Sequence, residues 1–354
     1  MKKSLVALAL FGAFAATAQA QSSVVIYGTV DAGVTKSTGS AVGIGARDNN
    51  KLGFKGTEDL GNGLKAIFQL EMRYAPDTGM LEGNNTRPLF QGQSRVGLQG
   101  AFGTVRLGRG LTSVQESALR FEPWNGIPSK AGFNTDVQLA GYTSDPLSAI
   151  PATTSNNRFS NAVFYNTPVI AGFQANATVG SKEGNGNPAI PAVAGVSRGF
   201  AANSQALAVP YSLSATYDNG PVAVLAGYER NAVETKMYTV AASFKPIEPL
   251  KLMASYAHQD KGSTLVNNTD TKAWLVGANY TMGPGKFLAG YGQKTPDGTV
   301  KTKQASLGYE YSLSKRTYVY VDASNKKQPA RNFITGASQP TSVNSYGVGV
   351  SHNF

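Results

Sequence analysis

The sequence predicts an all-β protein, an antiparallel transmembrane β-barrel of about 16 strands. Apolar residues recur at every second position through nearly the whole chain, the period of a strand with two unlike faces. Short turns rich in Gly, Pro and Asn alternate with much longer polar stretches, as in barrels with short connections on one side of a membrane and long loops on the other. Beyond the N-terminus no stretch approaches the roughly 18 consecutive apolar residues of a membrane-spanning helix.

Lys2 and Lys3 precede an apolar run from Leu5 to Ala16, followed by Ala18-Gln19-Ala20. A basic start, a run too short to span a bilayer and a small-residue cleavage site predict a secretory signal peptide over residues 1–20. Residues 21–354 then form one exported barrel domain, because no linker-like change of composition divides them. The chain has no cysteine, so its stability in an oxidising compartment is expected from a fully hydrogen-bonded closed sheet, and a thiolate metal site is excluded. The formal charge of +11 is spread singly along strands without a basic tail, which argues against nucleic acid as a partner.

The segment Gly63 to Tyr74 shows the alternation well. Leu64, Ala66, Phe68, Leu70 and Met72 make an apolar row, and Lys65, Ile67, Gln69, Glu71 and Arg73 make a largely charged one. From Thr302 to Tyr311, Ala305, Leu307, Tyr309 and Tyr311 oppose Thr302, Gln304, Ser306 and Glu310. A soluble sandwich also alternates, so the connections decide. Tight turns fall at 58–63, 101–103, 168–172, 218–221, 246–249, 283–285 and 313–315. Long polar stretches occupy 37–45, 75–90, 112–156, 181–209, 229–236, 259–271, 293–302 and 325–343. That many strands leave an aqueous channel, whereas barrels of about eight are filled by side chains. Tyr165, Tyr256, Tyr280, Phe287, Tyr291 and Tyr309 stand near strand ends, where interfacial aromatic girdles belong.

The segments "SSVVIYGTVDAGV", "LGFKGTEDLGNGLKAIFQLE", "FGTVRLGRG", "NRFSNAVFYNTP" and the ending "YGVGVSHNF" together resemble the general porins of beta-proteobacteria, the trimeric sixteen-stranded family of Neisseria, Burkholderia and Comamonas types. The resemblance runs the whole exported chain. It implies an outer-membrane homotrimer that passes small hydrophilic solutes through a water-filled pore, with a long third loop, here Thr112 to Asn157, folded into the barrel. It implies that the second loop, residues 75–90, reaches toward a neighbouring subunit. It also implies that Phe354 is the terminal aromatic read by the barrel-assembly machinery. Asn50-Lys51 stands where the family often has an arginine before "GFKG", and "FEPWNG" replaces a Pro-Glu-Phe-Gly-like stretch of the third loop.

A pore selects by size and fixed charge. Alternation places Lys51, Arg73, Arg95, Arg106 and Arg158 on the polar row, with Leu52, Met72, Val96, Leu107 and Phe159 beside them. Arg109 breaks this parity but matches the arginine of the family's "LGR" segment. The third loop supplies Glu116, Glu122 and Asp136. Opposed charges across a narrow pore make a transverse field, and the basic excess predicts a preference for anionic solutes. Lys182, Arg198, Lys326, Lys327 and Arg331 are assigned to outer loops, away from the constriction.

Three other functions compete. A barrel hydrolase needs a nucleophile with a base in reach, and His258 and His352 have no evident Ser and carboxylate constellation. A solute-specific transporter needs a plug domain or an aromatic ladder, and Tyr27 alone on the polar face makes none. An adhesin would rest on exposed loops alone. No cofactor or metal is expected: Gly103 to Gly110 lacks a phosphate-loop pattern, and the loop Asp and Asn residues lack cation-ligand spacing.

Overall fold

The computed structural model describes residues 22–83, 85, 87–134, 136–147, 157–184, 186, 189, 199–260, 269–331 and 338–354. The leader expected over residues 1–20 lies outside them, as do Arg198 and parts of several outer loops. The strands are β1 (Ser23–Ser37), β2 (Gly43–Gly45), β3 (Lys51–Gly61), β4 (Leu64–Arg73), β5 (Gln93–Gly100) and β6 (Gly103–Leu111). After helix α1 (Ser113–Ala118) and a single 3-10 turn (Leu119–Phe121) come β7 (Arg158–Asn166), β8 (Phe173–Gly180), β9 (Tyr211–Asn219), β10 (Val222–Arg230), β11 (Lys236–Ile247) and β12 (Leu250–Gln259). The last are β13 (Thr271–Met282), β14 (Gly285–Pro296), β15 (Thr302–Ser312), β16 (Thr317–Arg331) and β17 (Ser338–Asn353).

Each strand pairs antiparallel with its sequence neighbours, and β17 returns to β1 over Thr29↔Asn353 to Ser37↔Ser345, which closes the sheet. β2 and β3 both pair with β1, at Gly33–Thr35 and Ser23–Thr29 respectively, so they are two pieces of one barrel strand. The result is a closed antiparallel barrel of 16 strands.

Exposure runs opposite to that of a water-soluble sheet. Val240, Val276 and Leu307 are 55%, 49% and 66% exposed, whereas their inward neighbours Thr239 and Ser306 are 3% and 4% exposed. An apolar outer surface with a polar inner one is what a barrel in lipid around water requires. Tyr280 and Phe287 lie toward the short-turn ends of β13 and β14, Tyr256 toward the long-loop end of β12, and all three face outward. These three stand where the expected girdles belong.

Two connections depart from the sequence reading. The first loop does not end at residue 45, because residues 46–50 turn aside before β3. Asp31 holds them: its buried carboxylate accepts the Arg47 amide at 2.6 Å and the Tyr320 hydroxyl at 2.9 Å, and the Asn50 side chain bonds both the amide and the carbonyl of Asp31. Arg47 then reaches Glu310 at 2.8 Å and Asp322 at 2.9 Å. The last loop is shorter than 325–343, since β16 and β17 pair as far as Arg331↔Ser338. Lys326 and Lys327 are strand residues, not loop residues.

The seam depends on a close approach. The Gly28 amide donates to the Phe354 carbonyl and the Phe354 amide to the Gly28 carbonyl, both at 3.1 Å, and a side chain at Gly28 would strike the Phe354 ring. Substituting Gly28→Val is therefore expected to cost about 1–3 kcal/mol, read as a lower temperature for the electrophoretic shift from folded barrel to unfolded chain. An unchanged transition would mean that the ring is not held at the seam.

Candidate functional site

The third loop, which leaves β6 at Thr112, is tied to the wall residue by residue. Thr112 caps α1 and donates its hydroxyl to Glu229 Oε2 on β10 at 2.6 Å. The Val114 amide donates to Ser212 Oγ at 3.0 Å, and Ser113 and Ser117 pair with Thr178 and Ser214. Farther on, Lys251 donates to the Arg120 carbonyl at 2.7 Å and Asn279 to the Pro123 carbonyl at 3.1 Å. Trp124 Nε1 donates to Asp322 at 3.0 Å, Gln304 to the Gly132 carbonyl at 2.9 Å, and Ser324 to the Lys130 carbonyl at 3.0 Å. These partners run from β8 to β16, always on the row opposite the exposed apolar residues, so the loop lies inside the barrel.

Glycines on that inner row give the loop its sockets, a signal that the sequence analysis did not single out. A side chain at Gly277 would strike Pro123, one at Gly290 would strike Phe133, and one at Gly308 would meet Trp124. Trp124, Ala131, Phe133 and Val137 bury an apolar cluster against Leu275 and Leu288 of the wall. Such a loop is held as a packed layer by apolar burial, with the hydrogen bonds fixing its register.

The structure brings four of the expected cations to one wall. Arg95 forks onto Gln69 Oε1 at 2.9 and 3.1 Å, Arg106 bonds Asn166, and both face Glu116 at 3.7 and 3.8 Å. Arg73 lies 3.5 Å from Glu71 and stands opposite Lys51 in the β3–β4 register. Tyr27 also faces inward, donating to Glu71 at 3.1 Å and accepting from Gln69 at 2.8 Å.

Arg158 and Arg109 are placed differently from the parity argument. A bulge at Gly108/Gly110, where Asn161 adopts a positive φ of 50°, shifts the phase of β7. Phe159 consequently packs on the same buried row as Ala162 and Phe164, so it cannot mark Arg158 as facing water. Arg158 is itself 2% exposed and donates to the Gly92 carbonyl at 2.7 Å. Arg109 donates to the Gln91 carbonyl at 3.0 Å and to Ser160 Oγ at 2.7 Å. Both guanidinium groups fasten the end of the second loop, at Gln91 and Gly92, to the barrel.

The acids also divide. Glu116 faces Arg95 and Arg106 as expected. Glu122 does not face the lumen: it is 1% exposed and its carboxylate accepts the amides of Trp124 and Gly126, closing the turn made by "FEPWNG". Asp136 is clamped by Lys294 of β14 and by Lys326 of β16, the latter expected in a loop. Burial pushes Glu122 up to about 7. Burial also pushes Asp136 up, but Lys294 and Lys326 outweigh it and hold the carboxyl down at about 2.

A family profile described as Gram-negative porin matches residues 4–330. The chain belongs to that family. It is 30% identical over 383 residues to outer membrane porin protein 32 of Delftia acidovorans, covering all of both chains. It is 30% identical over 362 residues to the major outer membrane protein P.IB of Neisseria lactamica, covering 91% of this chain and 93% of that one. Among solved structures, the anion-selective porin from Comamonas acidovorans superimposes with a TM-score of 0.74 at 25% identity, over 94% of this chain and 100% of that one. This porin is a multi-pass outer-membrane protein and a passive channel for small hydrophilic solutes, not an enzyme. His258 has its own role in the fold, bonding Asp270 at 2.8 Å on the outer face.

The two shifted carboxyls give the loop a pH dependence of opposite signs. Glu122 keeps its proton in the fold up to about 7 and loses it near 4.5 in the unfolded chain, so stability falls as pH rises between those values. Asp136 is the reverse: its contribution is present above 3.8 and fades as pH drops toward 2. In a Trp274→Phe background, where Trp124 is the remaining tryptophan, thermal release of the loop is expected at falling temperature as pH is raised from about 5 to about 7. Glu122→Gln should lessen that slope, and a slope undiminished by the substitution would assign it to another group.

Proposed function

We propose that this porin prefers anions, and that Lys51, Arg73, Arg95, Arg106, Lys294 and Lys326 carry the preference. One observation supports the reading most: Glu116 and Asp136 of the third loop each meet two cations of the barrel wall. Arg95 and Arg106 share Glu116, Lys294 and Lys326 share Asp136, and Lys51 stands opposite the Arg73 that meets Glu71. Each cluster then keeps an excess positive charge in a channel whose walls exclude much of the screening water. Such fixed charge concentrates anions and repels cations. The anion-selective description of the Comamonas structure supports the same reading.

Arg109 and Arg158, turned onto main-chain carbonyls, add to the potential from behind the wall rather than by touching solutes. Glu122 leaves the set of constriction acids for a positioning role within the loop. The functional unit is a homotrimer in which the second loop reaches a neighbouring subunit, and Phe354 is the residue that the barrel-assembly machinery reads. Residues 1–20 are the export signal that delivers the chain.

Reversal potentials in a planar bilayer under a salt gradient test the electrostatic assignment. Wild type is expected to favour chloride, more strongly in dilute salt, where the Debye length exceeds about 10 Å. Arg95→Glu with Arg106→Glu should reverse or abolish the preference. Asp136→Asn, which frees Lys294 and Lys326, should increase it. Cation preference in the wild type would overturn the assignment while leaving the channel.

A further inference from the structure

At the long-loop side, the ladder of β12 and β13 ends in a cluster of side chains that the channel does not use. The register pairs His258 with Lys272 and Gln259 with Thr271, so the next residues, Asp260 and Asp270, come face to face as the strands part. Alternation along β12 sets Tyr256, His258 and Asp260 on the outward row, and along β13 it sets Trp274, Lys272 and Asp270 there. Tyr256 and Trp274 make an outward aromatic pair of the kind that marks the lipid interface, and the histidine and the two acids lie beyond it, toward water.

His258 Nε2 is 2.8 Å from Asp270 Oδ1 and 3.6 Å from Asp260 Oδ1, and one donor atom from each of the three residues falls within 4.8 Å of the other two. Main-chain bonds hold both acids in place: the Asp260 amide donates to the Lys236 carbonyl at 3.0 Å, and the Asp270 carbonyl accepts the Asp297 amide at 2.8 Å. Carboxylates directly opposite on adjacent strands repel each other. Lys272 shares their face, yet it forms no ion pair with either acid among the described residues. What stands against both is the imidazole nitrogen, which in its neutral form brings a lone pair and no charge. Donors around a tetrahedral Zn2+ stand about 3.4 Å apart, given bond lengths of about 2.0–2.2 Å. The separations here bracket that value, and all three side chains are partly exposed, so small rotations bring their donors onto one ion.

We infer that His258, Asp260 and Asp270 bind a divalent transition metal of the zinc class on the outer face, with water in the remaining position. One imidazole beside two carboxylates is a mixed donor set. The nitrogen favours Zn2+ over Ca2+ or Mg2+, and the acids supply the charge that neutralises the dication. The ion turns a repulsive contact at the end of the ladder into a bridge between β12 and β13.

Native mass spectrometry of the tag-free, detergent-folded protein, titrated with Zn2+ at neutral pH, tests the site. Cu2+ in the same site reports its ligand atoms by electron paramagnetic resonance. Wild type is expected to retain one Zn2+ per chain, to hold it against an equal concentration of Ca2+, and to show nitrogen hyperfine coupling from one imidazole. His258→Ala, and separately Asp260→Asn with Asp270→Asn, should each weaken Zn2+ binding by about 100-fold. His258→Ala should also remove the nitrogen coupling. His352→Gln, which removes the other histidine of the chain, should change neither readout. Heat-modifiable mobility checks that each variant is folded. No Zn2+ on wild type, undiminished binding in either variant, displacement by Ca2+, or nitrogen coupling lost with His352 rather than with His258 would overturn the site.

Discussion

A backbone amide in the hydrocarbon of a bilayer has no water to bond, and every other feature of this chain follows from that constraint. A sheet meets it by closing, so the pairing of β1 with β17 is the contact on which the architecture rests. The seam ends with Phe354 bonded to Gly28 through both main-chain groups, which leaves the final residue no free edge. Closure forces alternation, because every strand must show lipid one face and water the other. The lumen is thus polar by necessity, and its charge is available for selection.

A polar lumen creates a second requirement, since a long loop inside it must satisfy its own main chain against a wall of side chains. The wall answers with hydroxyls and amides, among them Ser212, Ser214, Asn279, Gln304 and Ser324, which meet loop amides, carbonyls and hydroxyls directly. Glycines at 277, 290 and 308 then let Pro123, Phe133 and Trp124 come close enough to bury apolar surface. Hydrogen bonding and packing act together here, since without the sockets the polar partners would stand too far apart.

Periodicity made the barrel legible because a strand's period of two is a local property, and lipid on one face sharpens it. Turn residues located the short connections for the same reason. The details that escaped are those in which one strand answers another. The bulge at Gly108/Gly110 shifts the phase of β7 and so changes what Phe159 implies about Arg158. Asp31 draws in residues 46–50 through contacts with Tyr320, far away in sequence. Lys294 and Lys326 meet at Asp136 because the loop crosses the barrel, which no spacing along the chain reveals. Composition identified the basic excess but not which cations share which acid.

Two kinds of charge network result, and their balance distinguishes their roles. Arg47 and Lys286 meet Glu310, and Arg47 also meets Asp322, so two cations answer two anions in a network that further accepts Trp124 Nε1. A buried group of this kind costs desolvation that only complete pairing offsets, and a balanced set anchors the loop without adding net charge to the lumen. The clusters at Glu116 and Asp136 are unbalanced, with two cations for each acid. Unpaired excess of that sort would be costly in a dry interior, and it is sustainable beside a water-filled path where ions can approach. Balance therefore marks the charges that hold the loop, and imbalance marks those that we propose act on the solute.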